Sequence, residues 1–261
     1  MKTLISVCAL AIASMVLVSG ARAEIRSQTI TYQDGGETLT GNLYWDDSIA
    51  GKRPGVLVVH EWWGLNDYAR WRAGQLAGMG YVAFAADMYG GNKVTTHPAE
   101  AQEWMTTTVS NLGAWRQRGL AGLEQLKNFE LTDSSRLAAI GYCFGGATVM
   151  QLAYAGADLK GVVSFHGSLP LPNGDEASKI KGRVLIEHGN DDAFVPPERV
   201  NAFKAALNSA GVNLTFHGHD GARHAFTNPD ADSFGIDNLK YNPAADEASW
   251  QSMQQLFKQI F

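Results

Sequence analysis

The sequence predicts a mostly parallel α/β sheet, doubly wound with helices on both faces and opened by an antiparallel hairpin. Two observations carry this. Short continuous apolar runs, the kind that strands buried on both faces need, recur along the chain. Stretches with helical spacing separate most of them, which is the pattern of parallel strands joined by crossover helices. The third observation is local: Asp34-Gly35-Gly36 stands between two alternating runs, a hairpin signal.

The elements follow in order. QTITYQDGGETLTGNLYW (28–45) is the hairpin, and PGVLVVH (54–60) is the first buried strand. NDYARWRAGQLAGMG (66–80) is a helix capped by Asn66 and stopped at a glycine. YVAFAADM (81–88) is a strand, and residues 98–129 carry helical spacing that breaks near Gly113. RLAAIGYC (136–143), LKGVVSFHG (159–167) and GRVLIEHG (182–189) are strands, with the helix ATVMQLAYAGA (147–157) after the first of them. PERVNAFKAALNSAG (197–211) is a helix with proline at its start. VNLTFHGH (212–219) is the last strand and PAADEASWQSMQQLFKQI (243–260) the last helix. Ligands of such a sheet bind outside the carboxyl ends of its strands, so residues just after strands are the candidates for chemistry.

At 261 residues, 45% hydrophobic and 18% charged, the chain suits one large core or at most two small ones. Its N-terminus reads as a secretory signal peptide over residues 1–23. Lys2 supplies the positive start, residues 4–18 the apolar stretch, and Ala21-Arg22-Ala23 a cleavage site before Glu24. The expected product, residues 24–261, is periplasmic or secreted and has no membrane association. Loss of Lys2 and Arg22 takes the formal net charge from −5 to −7. An acidic chain without a basic run is not expected to bind nucleic acid or an anionic membrane surface. Cleavage also removes Cys8, leaving Cys143 as the one cysteine and excluding an internal disulfide. A monomer or weak homo-oligomer is expected.

Cys143 lies in AIGYCFGGA (139–147), between a buried strand and a helix. Gly141-x-Cys143-x-Gly145 is the G-x-S-x-G elbow with cysteine in place of serine. The small neighbours let strand and helix close around a strained turn, and the helix N-terminus favours a thiolate or an oxyanion. The plainer alternative is a small cysteine packed into a glycine-rich contact. A thiol nucleophile needs a base, and the base an orienting acid; in this fold they follow in the order nucleophile, acid, histidine. Asp192 in GNDDAFVP and His224 in ARHAF meet that order in loops after strands. Asp191 or Asp192 could instead cap the helix after Pro196, and His224 could be an ordinary loop histidine. His217-x-His219 puts two imidazoles on one strand face, but without clustered carboxylate or cysteine ligands no metal site is expected.

With HEWWG (60–64), GYCFGG, GNDDAFVP and ARHAF in this order, the chain resembles the dienelactone hydrolase family of α/β-hydrolases over essentially its whole mature length. The resemblance implies a triad of Cys143, Asp192 and His224 that cleaves an ester or lactone through an acyl-enzyme, with no cofactor. It places Glu61 beside the thiol, and the backbone N–H groups of Trp62 and Phe144 as the oxyanion hole. Family members that cleave dienelactones hold the substrate carboxylate with two arginines, one shortly after a strand-end Asp-x-Tyr and one four residues after the histidine. Here those places hold Gly90, Gly91 and Lys93, and Asn228, so a neutral apolar or aromatic substrate is expected instead. Trp63, Tyr89, His166, Phe194, Phe226 and Asn228 are the expected pocket residues. A thiol redox or sensing protein and a non-catalytic binding protein are the other function classes open to such a cleft.

Overall fold

The computed structural model describes residues 24–261, so the expected signal peptide, residues 1–23, lies outside the described residues. In chain order the elements are β1 (Ile25–Asp34), β2 (Glu37–Asp46), β3 (Arg53–Val59), α1 (Asp67–Gly78), β4 (Val82–Ala86), α2 (Pro98–Val109), α3 (Leu112–Asn128) and β5 (Thr132–Tyr142). They continue with α4 (Phe144–Tyr154), β6 (Gly161–Phe165), β7 (Arg183–Gly189), α5 (Pro197–Ser209), β8 (Leu214–His219) and α6 (Pro243–Ile260). Eight strands form one sheet in the order β1-β2-β4-β3-β5-β6-β7-β8. β1 pairs antiparallel with β2, and β2 with β4, while every pair from β4 to β8 is parallel. The expected α/β-hydrolase architecture is what forms.

The continuous apolar runs have a direct cause. Successive side chains of a strand point to opposite faces. Leu57 and Val59 of β3, Phe84 of β4 and Ala139 of β5 enter one core with α3, α4 and α5. Val56 and Val58, Ala83 and Ala85, and Ala138 and Ile140 enter a second core with α1 and α6. Both faces are covered, so no polar alternation survives in the sequence.

The helical stretch over 98–129 breaks at Ser110 and Asn111, near Gly113 as expected. Asn111 accepts a hydrogen bond from the Ala114 N–H at 3.1 Å and starts a new helix, and Gly113 lies in its first turn. β4 ends at Ala86, because Asp87 turns back on the chain and accepts from the Tyr89 and Gly90 amides at 2.9 and 3.0 Å. His217 and His219 do share one face of β8. A carboxylate stands between them, since both bond the buried Glu187 of β7, at 3.1 and 2.6 Å. No helix among the described residues is long and apolar enough to cross a membrane.

Candidate active site

The loops after β3, β4, β5, β6, β7 and β8 meet on one rim of the sheet, as the parallel topology requires. Cys143 stands between the end of β5 and the start of α4 with φ +54°, a conformation that strains a side-chain-bearing residue. Two glycines make the turn possible. A Cβ on Gly141 would lie 2.1 Å from the Gly145 carbonyl oxygen, and one on Gly145 would lie 2.2 Å from that of Val59. His166, Leu169 and Ala225, each at or beside a residue of the site, are also non-glycine residues with positive φ. Backbone strain is therefore concentrated here.

The structure brings Cys143, His224 and Asp192 together. His224 and Cys143 line the same cavity, and the buried His224 Nδ1 meets Asp192 Oδ2 at 2.7 Å. The Asp192 side chain does not cap α5, whose N-cap is Pro196 without a side-chain bond. Its other oxygen accepts from the Phe194 N–H at 2.9 Å and from Asn238 Nδ2 at 3.1 Å. Burial disfavours the Asp192 anion, but the bonds from His224, Asn238 and Phe194 prevail and hold its pKa down to about 2. Burial likewise opposes the His224 cation. The facing Cys143 sulfur and the Asp192 carboxylate outweigh it and lift His224 well above an ordinary histidine.

Glu61 follows β3 and is buried. Its Oε2 accepts from Asn228 Nδ2 at 2.6 Å. Burial pushes its pKa up to about 7 against the opposing effects of Asn228 and His224. His60 fixes this loop, its Nε2 accepting from the Met88 N–H at 3.1 Å and its Nδ1–H directed at the Glu61 carbonyl. The Trp62 and Phe144 amides have no acceptor among the described residues. Trp62 is held from behind by the Tyr89 hydroxyl, which donates to its carbonyl at 3.0 Å.

A cavity of about 490 Å³ opens on Cys143, walled by Trp62, Met105, Val109, Trp115, Phe144 and Leu239 among others. Of the six expected pocket residues, Phe194 lines it and the other five lie elsewhere. Trp63 is buried and stacks on Phe234 with ring centroids 4.1 Å apart. Tyr89 packs behind Phe144 and lines a separate cavity with Lys93 and Arg118. Phe226 is fully buried beside His166. Asn228 is consumed by Glu61.

His166 is buried under the elbow, where its Nδ1 accepts the Cys143 N–H at 3.1 Å. That N–H is shared with the Phe165 carbonyl at 3.0 Å. Among the described residues no lysine or arginine lines the cavity. Arg70 bonds Asn42 on the outer side of α1, Arg223 bonds Asp237, and Lys93 lies over the Trp104 ring.

Sequence reasoning missed the walls from α2 and α3, the Asn238 bond to Asp192, and the role of His60. The first needs the packing of two surface helices over the rim. The second joins residues 46 apart, and only His60, directly before Glu61, had a local signal.

The matches to known proteins agree with this geometry. The model of the dienelactone hydrolase family matches residues 40–261. A solved structure titled "m3DLH" is 39% identical, covering 91% of this chain and 99% of its own, with a TM-score of 0.88. The dienelactone hydrolase-like promiscuous phosphotriesterase P91 from metagenomic libraries is 38% identical, covering 92% of this chain and all of its own, with a TM-score of 0.89. A Salmonella typhimurium protein named "Putative carboxymethylenebutenolidase" is 27% identical over 224 residues, 80% of this chain and 78% of its own. With a family model spanning all the strands from β3 onward and a rim built as that family's order of motifs requires, the chain belongs to the dienelactone hydrolase family of ester and lactone hydrolases.

Proposed function

We propose that the protein is an exported hydrolase that cleaves a neutral carboxylic ester or lactone through Cys143, His224 and Asp192. The observation that carries this reading is the 2.7 Å contact between His224 Nδ1 and Asp192, which turns the other edge of the imidazole toward Cys143 at the mouth of an apolar cavity. In this reading Cys143 Sγ attacks the carbonyl carbon and its proton passes to His224. The charge on the carbonyl oxygen meets the unengaged Trp62 and Phe144 amides. His224 then protonates the leaving oxygen, the C–O bond breaks, and an acyl-thioester remains. Water, deprotonated by His224, attacks that thioester and releases the acid with the thiol restored. A cavity wall without lysine or arginine among the described residues supports a neutral substrate.

The test is turnover of neutral aromatic esters, a dienelactone and a neutral phosphotriester by the wild type and by Cys143→Ala. Ester turnover is expected to fall by at least ~10³-fold in the variant. Undiminished turnover would overturn the thiol mechanism, and peroxide consumption without ester cleavage would favour the redox alternative. The phosphotriester belongs in the panel because the similar P91 is described as a promiscuous phosphotriesterase. Export is tested by sequencing the N-terminus of the protein recovered from the periplasm or medium, where Glu24 is expected first.

A further inference from the structure

The cavity at Cys143 does not end at its own wall. A second groove, of about 580 Å³, shares Ser168, Pro170 and Phe194 with it and continues over Leu171, Pro196 and Ala202, with the charged Glu198 and Arg199 of α5 also on its border. Phe194 and Leu171 are 53% and 39% exposed, two of the six large hydrophobic residues exposed among the described residues. Two such side chains bordering one groove next to a reactive cavity mark a surface that gains by being covered.

The direction of the groove says what covers it. Phe194 is packed edge-on to His224, with ring centroids 5.2 Å apart, so the groove leaves the site on the His224 side. The main cavity is walled in addition by Met105 and Val109 of α2, Trp115 of α3 and Ala147 of α4, none of which lines the groove. A general acid must reach the oxygen it protonates, so the departing alcohol lies on the histidine side and the acyl group away from it.

We propose that this groove is a leaving-group subsite. It takes the apolar alcohol or phenol portion of the substrate, while the acyl portion occupies the cavity under α2 and α3. The assignment rests on the hydrolase reading above, and it makes the natural substrate an ester with two apolar arms rather than a small lactone.

Ala202 is exposed on α5 and lines the groove without lining the Cys143 cavity. Ala202→Trp therefore fills the subsite and leaves the reacting groups in place. With acetates of alcohols from methanol to hexanol, the wild-type kcat/KM should rise about two- to fourfold per methylene until the groove is full. In Ala202→Trp that rise should flatten, with hexyl and 1-naphthyl acetate falling about tenfold or more relative to methyl acetate. The ratio of methyl butyrate to methyl acetate should stay as in the wild type. A uniform fall on all esters, an unchanged slope, or a change confined to the acyl series would overturn the proposal. Binding of 1-naphthol, followed by its fluorescence, needs no chemistry and should weaken about tenfold in Ala202→Trp; unweakened binding overturns the subsite. Failure of the wild type to cleave any ester overturns the hydrolase reading instead, so the two failures are distinct.

Discussion

His166 does not line the cavity, yet it bonds the backbone of the nucleophile. Its Nδ1 accepts from the Cys143 amide, so its proton sits on Nε2 and is donated to Thr227 Oγ1 at 2.7 Å. Thr227 in turn shares a hydrogen bond of 2.6 Å with the Tyr68 hydroxyl, which accepts from Arg72 Nε at 3.3 Å. Arg72 is fixed by the Thr227 carbonyl at 2.8 Å and by an ion pair with Asp246. A buried chain of polar groups thus runs from α6 to the backbone of the nucleophile and selects one tautomer of His166. Burial, and then the neighbouring His224, hold His166 well below an ordinary histidine, so its ring stays neutral. Thr227→Val keeps the shape but leaves the Nε2–H without an acceptor. That omission costs about 1–3 kcal/mol in a buried site and frees the ring to turn from the Cys143 amide. The expected result is a fall in kcat of roughly tenfold with little change in KM. Thr227→Ser should restore kcat, because it returns the hydroxyl; a serine variant as slow as the valine one would show that His166 owes nothing to this bond.

At the scale of elements, the turn between β5 and α4 is where local sequence and tertiary packing agree most tightly. Gly145 faces the Val59 backbone of β3, which cannot move without breaking the sheet. Gly145→Ala is therefore expected to cost about 3 kcal/mol or more, or to prevent folding. Gly74, inside α1, has nothing within 4 Å of an added Cβ, and Gly74→Ala should instead stabilise by about 0.5–1 kcal/mol. Chemical denaturation of the two variants checks the contrast; equal effects would mean that the close approach to β3 relaxes. The same comparison explains how much was legible beforehand. The elbow, the buried strands and the capped α1 write themselves in nearest-neighbour terms: spacing, glycine, an Asn cap. So did the order Cys143, Asp192, His224, because each stands just beyond a recognisable strand. The pocket was not legible, because an aromatic residue near the rim has the same local signature whether it faces the cavity, like Phe194, or the core, like Phe226 and Trp63. Asn228 was misplaced for a related reason: its partner Glu61 is 167 residues away, and no spacing reveals that contact.

At the scale of the whole molecule, Glu61 makes stability depend on pH in a direction opposite to that of most carboxylates. Its pKa rises from the ordinary 4.5 to about 7 because burial penalises the anion. The folded state therefore binds the Glu61 proton more tightly than the unfolded chain does. The stability gained from this is fully present below about pH 4.5 and is lost as pH rises through about 7. The loss is on the order of 3 kcal/mol over that window. Asp192 behaves in the usual sense: its pKa of about 2 gives stability that is intact above its ordinary value and lost only in strong acid, outside this window. His224, raised well above its ordinary value, contributes stability below about pH 6.5 that is lost as pH rises through its folded value. Both the wild type and a Glu61 variant keep the Cys143 and Asp192 partners that raise His224, and the Glu61–His224 interaction is already included in the Glu61 value of about 7. Glu61→Gln keeps an oxygen for Asn228 and cannot ionise. The variant's melting temperature relative to the wild type should therefore increase between about pH 5 and about pH 8.5, by roughly 5–10 °C for a chain of this size. Thermal denaturation of both proteins at the two pH values decides it. A difference that does not change with pH would mean that Glu61 ionises as it does in the unfolded chain, and that the Asn228 bond compensates fully for its burial.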